Sequence, residues 1–212
     1  METVNRRDRE KQRKQEEIID AAETLFCQHS FDHTTMQMIA SQAQFTKRTV
    51  YQYFDNKEEL YFAVVTRIFK QLVATMEQAY SMGGTGYQRL TTSMERFYRF
   101  YQQHPACFQV ISLIGYVRGL SETIGVHQEE LFKVNQQIFS RTIEVIAEGQ
   151  ADGTVRINPS APEIGYSLIF LLTGFFNQLA LTGQNFVGHF SINAEQFCKT
   201  TIDLLSNAIK PI

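Results

Sequence analysis

Polar and charged side chains of the kinds that recognise DNA are concentrated in residues 46–57. Lysine and arginine neutralise phosphates or read guanine edges, glutamine reads adenine, and threonine methyl groups meet thymine. Tyrosine hydroxyls bind phosphate oxygens. The segment holds three cations, Lys47, Arg48 and Lys57, against the carboxylate of Asp55, a local charge of +2. On composition alone, a DNA-reading surface and an amphipathic helix with a solvated face are equally acceptable interpretations.

The residues around this segment predict two short helices joined by a tight turn. Threonine at position 34 or 35 begins the first helix, with Gln37 at capping-box spacing. Thr46 caps the second helix, and the apolar side chains of Val50 and Phe54 face inward. Two short helices separated by two or three residues have helix-turn-helix geometry. We therefore place a helix-turn-helix at about residues 35–54.

The N-terminus forms a short basic arm. Residues 1–15 hold six cations against three carboxylates, a local charge of +3, in a chain whose formal net charge is −2. A basic arm ahead of a domain is often an element that contacts phosphates. Charge alone favours the simpler interpretation of a solvated, frayed terminus.

Apolar residues at helical spacing extend along the 212 residues, of which 43% are hydrophobic and only four are proline. The pattern predicts an all-α fold of about nine helices. We expect an N-terminal arm and helix-turn-helix domain at residues 1–56, a connecting helix at 57–81 and a larger helical domain at 82–212. The glycines of residues 81–86 could suggest a phosphate cradle. No GK[ST] follows them and no strand precedes them, so a linker is the better interpretation.

Other classes of site find little support in the sequence. The three cysteines and five histidines lack metal-ligand spacing, so we predict no metal and no cofactor. There is no nucleophile motif and no acid–base pair, so we do not expect an enzyme. The charged N-terminus lacks the apolar segment of a signal peptide, and the spacing of the cysteines suits a reduced cytoplasm.

One segment invites comparison with a membrane span. Residues 164–194 contain no charged side chain, and residues 164–181 have about the length that crosses a bilayer. The stretch also contains polar residues and lacks a flanking basic cluster. A helix buried within a soluble dimer is therefore the favoured interpretation, and we expect no membrane association.

Residues 9–70 resemble the N-terminal domain of the tetracycline-repressor (TetR/AcrR) family of bacterial regulators. Three stretches carry the resemblance: Ile18-Ile19-x-Ala21-Ala22-x-x-Leu25-Phe26, Thr34-Thr35-x-x-x-Ile39-Ala40, and Thr49-Val50-Tyr51-x-Tyr53-Phe54-x-Asn56-Lys57-Glu58-Glu59-Leu60. The last is the most specific, because several identities fall at fixed spacing. The matching region is about a third of the chain, and the remainder resembles the family only in its helical style.

The resemblance implies roles for individual residues in binding a palindromic double-stranded DNA operator. Residues near the bases or at the start of the second helix would be Gln37, Thr46, Lys47, Arg48 and Thr49, and residues on the DNA backbone would be Thr35, Tyr51, Gln52, Tyr53 and Lys57.

Two positions depart from the family, which usually has glycine where this chain has Ser30 and Gln44. A left-handed conformation at Gln44 would cost on the order of 1 kcal/mol, which puts the turn geometry in question.

The resemblance also implies a homodimer built from the last two helices. The apolar residues expected at that interface are Leu168, Leu172, Phe175, Leu179, Phe197, Leu204 and Leu205. The alternative is that these residues belong only to the core of one chain. We favour the dimer because two copies on a two-fold axis read two half-sites.

A small-molecule effector cavity in the C-terminal domain is the third implication. Its expected lining is Phe100, Phe108, Tyr116, Phe139, Tyr166, Phe170 and Asn177, with Arg96, Arg99 and Arg118 as further candidate polar anchors. Aromatic cavities with a few polar groups suit apolar or aromatic ligands. For each residue taken singly, a core or solvated role remains the more common one.

These expectations lead to a first hypothesis and two alternatives. The first is a DNA-binding regulator, a repressor released from its operator by an apolar or aromatic effector. The second is a helical lipid-binding or ligand-binding module, or an enzyme, whose helix-turn-helix does not bind DNA. The third is a small membrane-attached helical protein.

Overall fold

The computed structural model describes residues 6–121 and 123–211, apart from the side chains of residues 184, 185 and 187. Within these residues the chain forms α-helices and no strands, which confirms the predicted all-α class. The helices are α1 (Arg6–His29), α2 (Met36–Gln42), α3 (Lys47–Tyr51), α4 (Lys57–Tyr80), α5 (Gly86–Gln103), α6 (Pro105–Ser112), α7 (Ile114–Leu120), α8 (Val126–Ala151), α9 (Ala161–Phe190) and α10 (Ala194–Ala208).

The described residues contain one helix more than the predicted nine. The sequence predicts a single helix from about residue 105 to residue 119, and the structure divides it into α6 and α7 at Leu113. Leu113 has φ −89° and ψ 0°, and its amide donates to the carbonyl of Val110 at 3.2 Å. This tight turn interrupts a helix without a proline or a glycine, so the sequence carries no strong signal for it.

The chain divides into two compact units. The first comprises Met1–Ile68 and Val110–Phe132, and the second comprises Phe69–Gln109 and Lys133–Ile212. Helices α4, α6 and α8 contribute residues to both units. The sequence-based domain boundaries at residues 56 and 81 stay a prediction.

An aromatic cluster forms the centre of the first unit. The rings of Phe26, Phe31 and Tyr61 lie with centroids 5.4–5.8 Å apart, in partly edge-on arrangements that favour aromatic packing. Tyr61 is fully buried, and its hydroxyl donates to the carbonyl of Val110 at 2.6 Å. Burial raises the pKa of Tyr61 far above its usual range, so the hydroxyl remains a donor. The cluster thus joins α1 and α4 to the start of the 110–132 segment.

Ion pairs hold α1 against α4 at the edge of this core. The guanidinium of Arg67 on α4 binds the carboxylates of Asp20 and Glu23 on α1. It also lies 3.8 Å from a carboxylate oxygen of Glu16. Because the Arg67 side chain is only 22% exposed, these pairs are better shielded from solvent than ordinary surface pairs.

The turn between α2 and α3 closes with a left-handed residue that is not glycine. Gln44 has φ 58°. The amide of Phe45 donates to the carbonyl of Ala40 at 2.8 Å, and the amide of Gln44 donates to the carbonyl of Ser41 at 3.1 Å. These two bonds form a Schellman motif, which ends a helix and satisfies its last carbonyls. The turn therefore keeps helix-turn-helix geometry despite Gln44, and Ser30 adopts a similar φ of 63° after α1.

Lys57, at the start of α4, is bound within the first unit. Its ammonium donates to the carbonyls of Phe31 at 2.9 Å and Thr34 at 3.0 Å. The same nitrogen lies 4.1 Å from the centroid of the Phe31 ring, a cation–π distance. Lys57 therefore fixes the loop between α1 and α2, which has no helical bonds of its own.

The second unit contains a close crossing of α5 and α8. A Cβ built on Gly86 would lie 2.3 Å from the Cα of Gly149, so neither helix could carry a side chain there without moving. Next to the crossing, the amide of Gly86 donates to the carboxylate of Asp152 at 2.7 Å. Thr85 caps α5 in a capping box with Gln88. The last glycine of the predicted linker is thus required by helix packing.

Replacing Gln44 with glycine is expected to stabilise the protein. Glycine adopts a positive φ without the steric cost that glutamine bears, while it gains freedom in the unfolded chain. The expected net change is an increase of about 0.5–1 kcal/mol in the free energy of unfolding. Chemical denaturation measures it. The matched control is Gln42→Gly, in the last turn of α2, where glycine should lower stability by a similar amount; a Gln44→Gly variant that is also destabilised would contradict the left-handed turn.

Replacing Lys57 with methionine is expected to destabilise the first unit. The change removes two charge-assisted hydrogen bonds and leaves two loop carbonyls without their donor. The expected loss is about 2 kcal/mol in the free energy of unfolding. Lys47→Met, at an exposed position, should change stability by less than about 0.5 kcal/mol. Equal stability of the two variants would show that the Lys57 contacts contribute nothing.

Candidate nucleic-acid interface

The predicted DNA-contacting residues lie on α2, on α3 and at the adjoining ends of neighbouring segments. Those with exposed side chains are Thr35, Gln37, Thr46, Lys47, Arg48, Tyr51 and Gln52, and those with half-buried side chains are Thr49, Tyr53 and Lys57. The inner side of the same segment is closed, because Ile39 and Val50 are fully buried and Phe54 is 1% exposed. The structure thus separates a packed face from a polar face, as the sequence predicts.

Threonine caps fix the starts of both helices. The Thr35 hydroxyl accepts from the amide of Met38 at 3.2 Å, and the Thr46 hydroxyl accepts from the amide of Thr49 at 3.1 Å. The sequence offers Thr34 or Thr35 as the first cap, and the structure selects Thr35. Thr34 is fully buried, and its hydroxyl donates to the carbonyl of Ser30 at 2.7 Å. In the first turn of α3, the Thr49 hydroxyl is also hydrogen-bonded to the Thr46 hydroxyl at 2.8 Å, while the side chains of Lys47 and Arg48 are exposed.

Lys47 and Tyr51 lie one turn apart on the outer side of α3. The ammonium of Lys47 is 5.8 Å from the centroid of the Tyr51 ring, and the Tyr51 side chain is 44% exposed. Arg48 is also exposed. A cation and a phenol at this spacing present a positive group and a hydroxyl to the same ligand, which suits phosphate and base-edge contacts.

Two hydrogen bonds fix the start of α4, which follows α3 in the chain. The Asn56 side chain accepts from the amide of Glu59 at 2.7 Å, and a carboxylate oxygen of Glu59 accepts from the amide of His127 at 3.1 Å. The His127 ring lies 5.3 Å from that of Phe54. Asn56 stands three residues before Glu59, a spacing typical of a helix cap. The sequence gives no signal for the contact with His127, because 68 residues separate it from Glu59.

The residues predicted for an effector cavity occupy four places. Phe100 and Phe108 are buried in an aromatic cluster of the second unit, with their ring centroids 6.2 Å apart. Phe139 lies against Tyr166 and Phe170, at 5.5 and 6.2 Å. Tyr116 belongs to the first unit, where its hydroxyl donates to Asp32 at 3.1 Å. Asn177 lies on α9, and its side-chain oxygen is buried without a hydrogen-bond partner.

A groove of about 740 Å³ lies in the second unit between α5, α6, α9 and α10. Tyr98, Tyr101, Leu179, Glu195 and Cys198 are among its lining residues. Burial raises the pKa of Tyr98 to about 12, so its hydroxyl is protonated at neutral pH. The groove therefore combines apolar walls with the neutral hydroxyl of Tyr98 and the carboxylate of Glu195, which is paired with Lys199. None of these residues is in the effector-binding set expected from the sequence.

The residues predicted for the dimer interface fall into two groups. Leu168, Leu172 and Leu179 are 6–8% exposed and belong to the core of one chain. Phe175, Phe197 and Leu205 are half-buried, and Leu204 is 66% exposed. On the outer side of α9, Phe170 is 70% exposed, Leu171 57% and Leu181 56%. These large apolar side chains of α9 and α10 face solvent in a single copy of the chain.

The residues that the structure describes also bear on metal binding and on membrane insertion. Among them, no group of three or more histidine, cysteine or acidic side chains could hold a metal ion. Residues 161–183 of α9 are long and apolar enough to cross a membrane by length and composition, which core helices also satisfy.

Comparison of the sequence with known proteins places the match on the helix-turn-helix. Residues 18–64 match the family model of bacterial regulatory proteins of the tetR family. An uncharacterized HTH-type transcriptional regulator of Bacillus subtilis, YhgD, is 27% identical over 69% of this chain and 73% of its own length. The HTH-type transcriptional activator FasR of Mycolicibacterium smegmatis is 32% identical over 53% of this chain and 51% of its own length.

Comparison with solved structures extends the likeness to the whole fold. The transcriptional regulator FadR of Bacillus subtilis, solved in complex with stearoyl-CoA, superposes with a TM-score of 0.72 at 16% identity. The superposition covers 91% of this chain and 98% of FadR. The matched residues include α2, α3 and the start of α4, which carry the exposed polar face described above. Residues 18–64 thus match the tetR family of bacterial regulatory proteins, and the fold resembles that of solved transcriptional regulators.

Proposed function

We propose that this regulator is a cytoplasmic repressor that binds a palindromic operator as a homodimer and is released by a small, largely apolar or aromatic effector. The exposed polar face of α3, carried on a fully buried inner face, is the observation that supports the DNA-binding part. A rigid helix with such a face can enter the major groove, where each base pair presents a distinct pattern of donors and acceptors.

Within this proposal the residues divide by role. Gln37, Lys47 and Arg48 are exposed and lie nearest the bases, with Thr46 and Thr49 beside them. Thr35, Tyr51, Gln52 and Tyr53 contact the sugar–phosphate backbone. The resemblance also assigns Lys57 to the DNA backbone. Because its ammonium already donates to the carbonyls of Phe31 and Thr34, we ascribe its contribution to DNA binding to the positioning of the loop before α2.

The exposed apolar side chains of α9 and α10 support the homodimer. Phe170, Leu171, Leu181 and Leu204 expose more than half of their surface. The same two helices line an apolar notch of about 160 Å³, and Phe175, Phe186 and Phe197 are among its lining residues. Large exposed apolar patches are uncommon in monomers, and a two-fold interface would bury the same patch on both copies. We therefore assign the exposed apolar side chains of α9 and α10 to a dimer interface.

An apolar effector is supported by the second unit. Its groove and its aromatic cluster offer apolar surface with few charges. FadR of Bacillus subtilis, of similar fold, was solved with stearoyl-CoA, a molecule with a long apolar chain. Since α4 and α8 each have residues in both units, an effector with different affinities for two arrangements of these helices would change DNA binding.

Substitutions on α3 are expected to separate base contacts from backbone contacts. Arg48→Ala should weaken binding to the DNA upstream of the protein's own gene by about 1–3 kcal/mol while affecting random duplex DNA less. Tyr51→Phe should weaken binding to both DNAs by the same smaller factor, because a phosphate contact carries no sequence information. Fluorescence anisotropy at fixed salt measures both. Absence of any salt-dependent DNA binding by the unmodified protein would contradict the proposed function.

Charges on the outer side of α9 and α10 are expected to dissociate the dimer. Leu171→Glu combined with Leu204→Glu should convert a dimer to a monomer at micromolar concentration without detergent, because two carboxylates per chain would be buried unpaired. Sedimentation velocity measures the change. The matched control is Ile157→Glu, at a position that is 80% exposed and lies outside both helices. A monomeric unmodified chain, or one that requires detergent, would contradict the assignment of α9.

A further inference from the structure

The N-terminal end of α8 is capped by a side chain from another helix. The first amides of a helix have no acceptor within it and are usually bound by the side chain just before it. Gly125, which directly precedes α8, has no side chain to offer. Instead, a carboxylate oxygen of Glu59 on α4 accepts from the amide of His127, in the first turn of α8, at 3.1 Å. The negative charge also suits the positive end of the helix macrodipole.

Glycine at position 125 makes this close approach possible. A Cβ built there would lie 1.9 Å from the other carboxylate oxygen of Glu59 and 2.1 Å from its carboxyl carbon. A side chain at this position would therefore displace the carboxylate. The backbone of Glu59 is fixed as well, because its amide donates to the side chain of Asn56 at 2.7 Å.

Two more residues of the first unit contact His127. Thr66, about two turns further along α4, donates its hydroxyl to the His127 carbonyl at 3.4 Å. The His127 side chain is 17% exposed, and its ring lies 5.3 Å from the ring of Phe54. We call Phe54, Glu59, Thr66 and His127 the His127 cluster. Through this cluster, α4 binds both the amide and the carbonyl of one residue of α8, while the ring of that residue packs on Phe54.

The His127 cluster connects α3 to a helix that continues into the second unit. Phe54, which follows α3, is 1% exposed, and its burial helps to set the direction of that helix. Helix α8 continues to Ala151, and its residues from Lys133 onward belong to the second unit. A continuous helix moves as a rigid element, so a displacement within the second unit reaches its first turn.

We propose that Glu59 is a positioning residue that couples the placement of α3 to that of α8. The inference rests on the proposed function and names the contact through which its regulation passes. Glu59 binds the first turn of α8 to α4 and thereby keeps His127 against Phe54. A displacement of α8 then shifts Phe54, and α3 with it. Without the carboxylate, α8 moves independently of α3.

A substitution in the second unit displaces α8 without any effector. A Cβ built on Gly165 of α9 would lie 2.7 Å from Cγ1 and 3.8 Å from Cα of Ile143 on α8. Valine adds two further carbons, so Gly165→Val forces the two helices apart at this point.

The test compares the effect of Gly165→Val in four backgrounds: the unmodified chain, Glu59→Ala, Glu59→Gln and Glu58→Ala. Fluorescence anisotropy measures affinity for the DNA upstream of the protein's own gene. Glu58 supplies the matched control, because it precedes Glu59 in the first turn of α4 and carries the same charge. Both alanine variants therefore remove one carboxylate from the same region of the DNA-binding unit.

Coupling through Glu59 predicts a different effect in each background. Gly165→Val should lower DNA affinity about fivefold or more in the unmodified chain and in Glu58→Ala. In Glu59→Ala it should change affinity by less than about twofold. Glu59→Gln should restore most of the effect, because its amide oxygen still accepts from the His127 amide. Equal effects in all backgrounds, or no effect in the unmodified chain, overturn the proposal, since a purely structural Glu59 changes stability alone.

Hydrogen exchange measured by mass spectrometry tests the coupling without DNA and without Gly165→Val. Glu59→Ala should accelerate exchange both in the first turn of α8 and in residues 50–54, whereas Glu58→Ala should affect both much less. Acceleration confined to α8 overturns the coupling, even if the valine variant fails to fold. Absence of DNA binding by the unmodified chain overturns the proposed function, and the exchange measurement still decides whether Glu59 links the two helices.

Discussion

The burial of Val50 and Phe54 is the constraint on which the DNA-binding surface depends. Helix α3 has only five residues, too few to be stable alone in water. Its direction is therefore set by packing: Val50 is fully buried, Phe54 is nearly so, and the Phe54 ring contacts His127. With these two side chains inside, Lys47, Arg48 and Tyr51 must face outward.

The rest of the first unit supports this small helix from several sides. Lys57 holds the loop before α2, and Arg67 ties α4 to α1. Tyr61 and Glu59 connect α4 to the 110–132 segment. In the proposed mechanism an effector acts through helices such as α4 and α8, which contribute residues to both units. Regulation in this proposal is a change in the placement of a rigid surface.

The sequence predicted the helix-turn-helix because its signals are local. Threonine caps, inward apolar residues and the Thr49–Leu60 motif all operate within a few residues. The break at Leu113 was not predicted, since a turn set by tertiary packing leaves no composition signal. At Gln44 the sequence indicated a difficulty, because glutamine stands where the family usually has glycine. The structure shows that Gln44 is left-handed and that two hydrogen bonds of a Schellman motif stabilise the turn.

Sites assembled from distant residues were harder to predict. The family resemblance grouped Tyr116 with Phe108 in one expected effector cavity, whereas the structure assigns them to different units. Periodicity likewise cannot distinguish Leu172, buried within one chain, from Leu204, which faces solvent. The charge pattern of residues 1–15 favoured a frayed terminus, whereas α1 begins at Arg6 in the structure. The first buried residue of α1 is Ile18, so the basic residues before it lack the buried apolar positions that would have indicated a helix.

Hydroxyl-radical footprinting of the DNA upstream of the protein's own gene tests the central claim most directly. A dimer that places one α3 helix in each of two successive major grooves should protect two tracts on one face of the duplex, about 34 Å apart or a multiple of that spacing. The tracts should disappear with Lys47→Ala/Arg48→Ala, whose altered side chains are exposed and leave the fold unchanged. Protection that is uniform along the DNA, or that persists in this variant, would contradict the account.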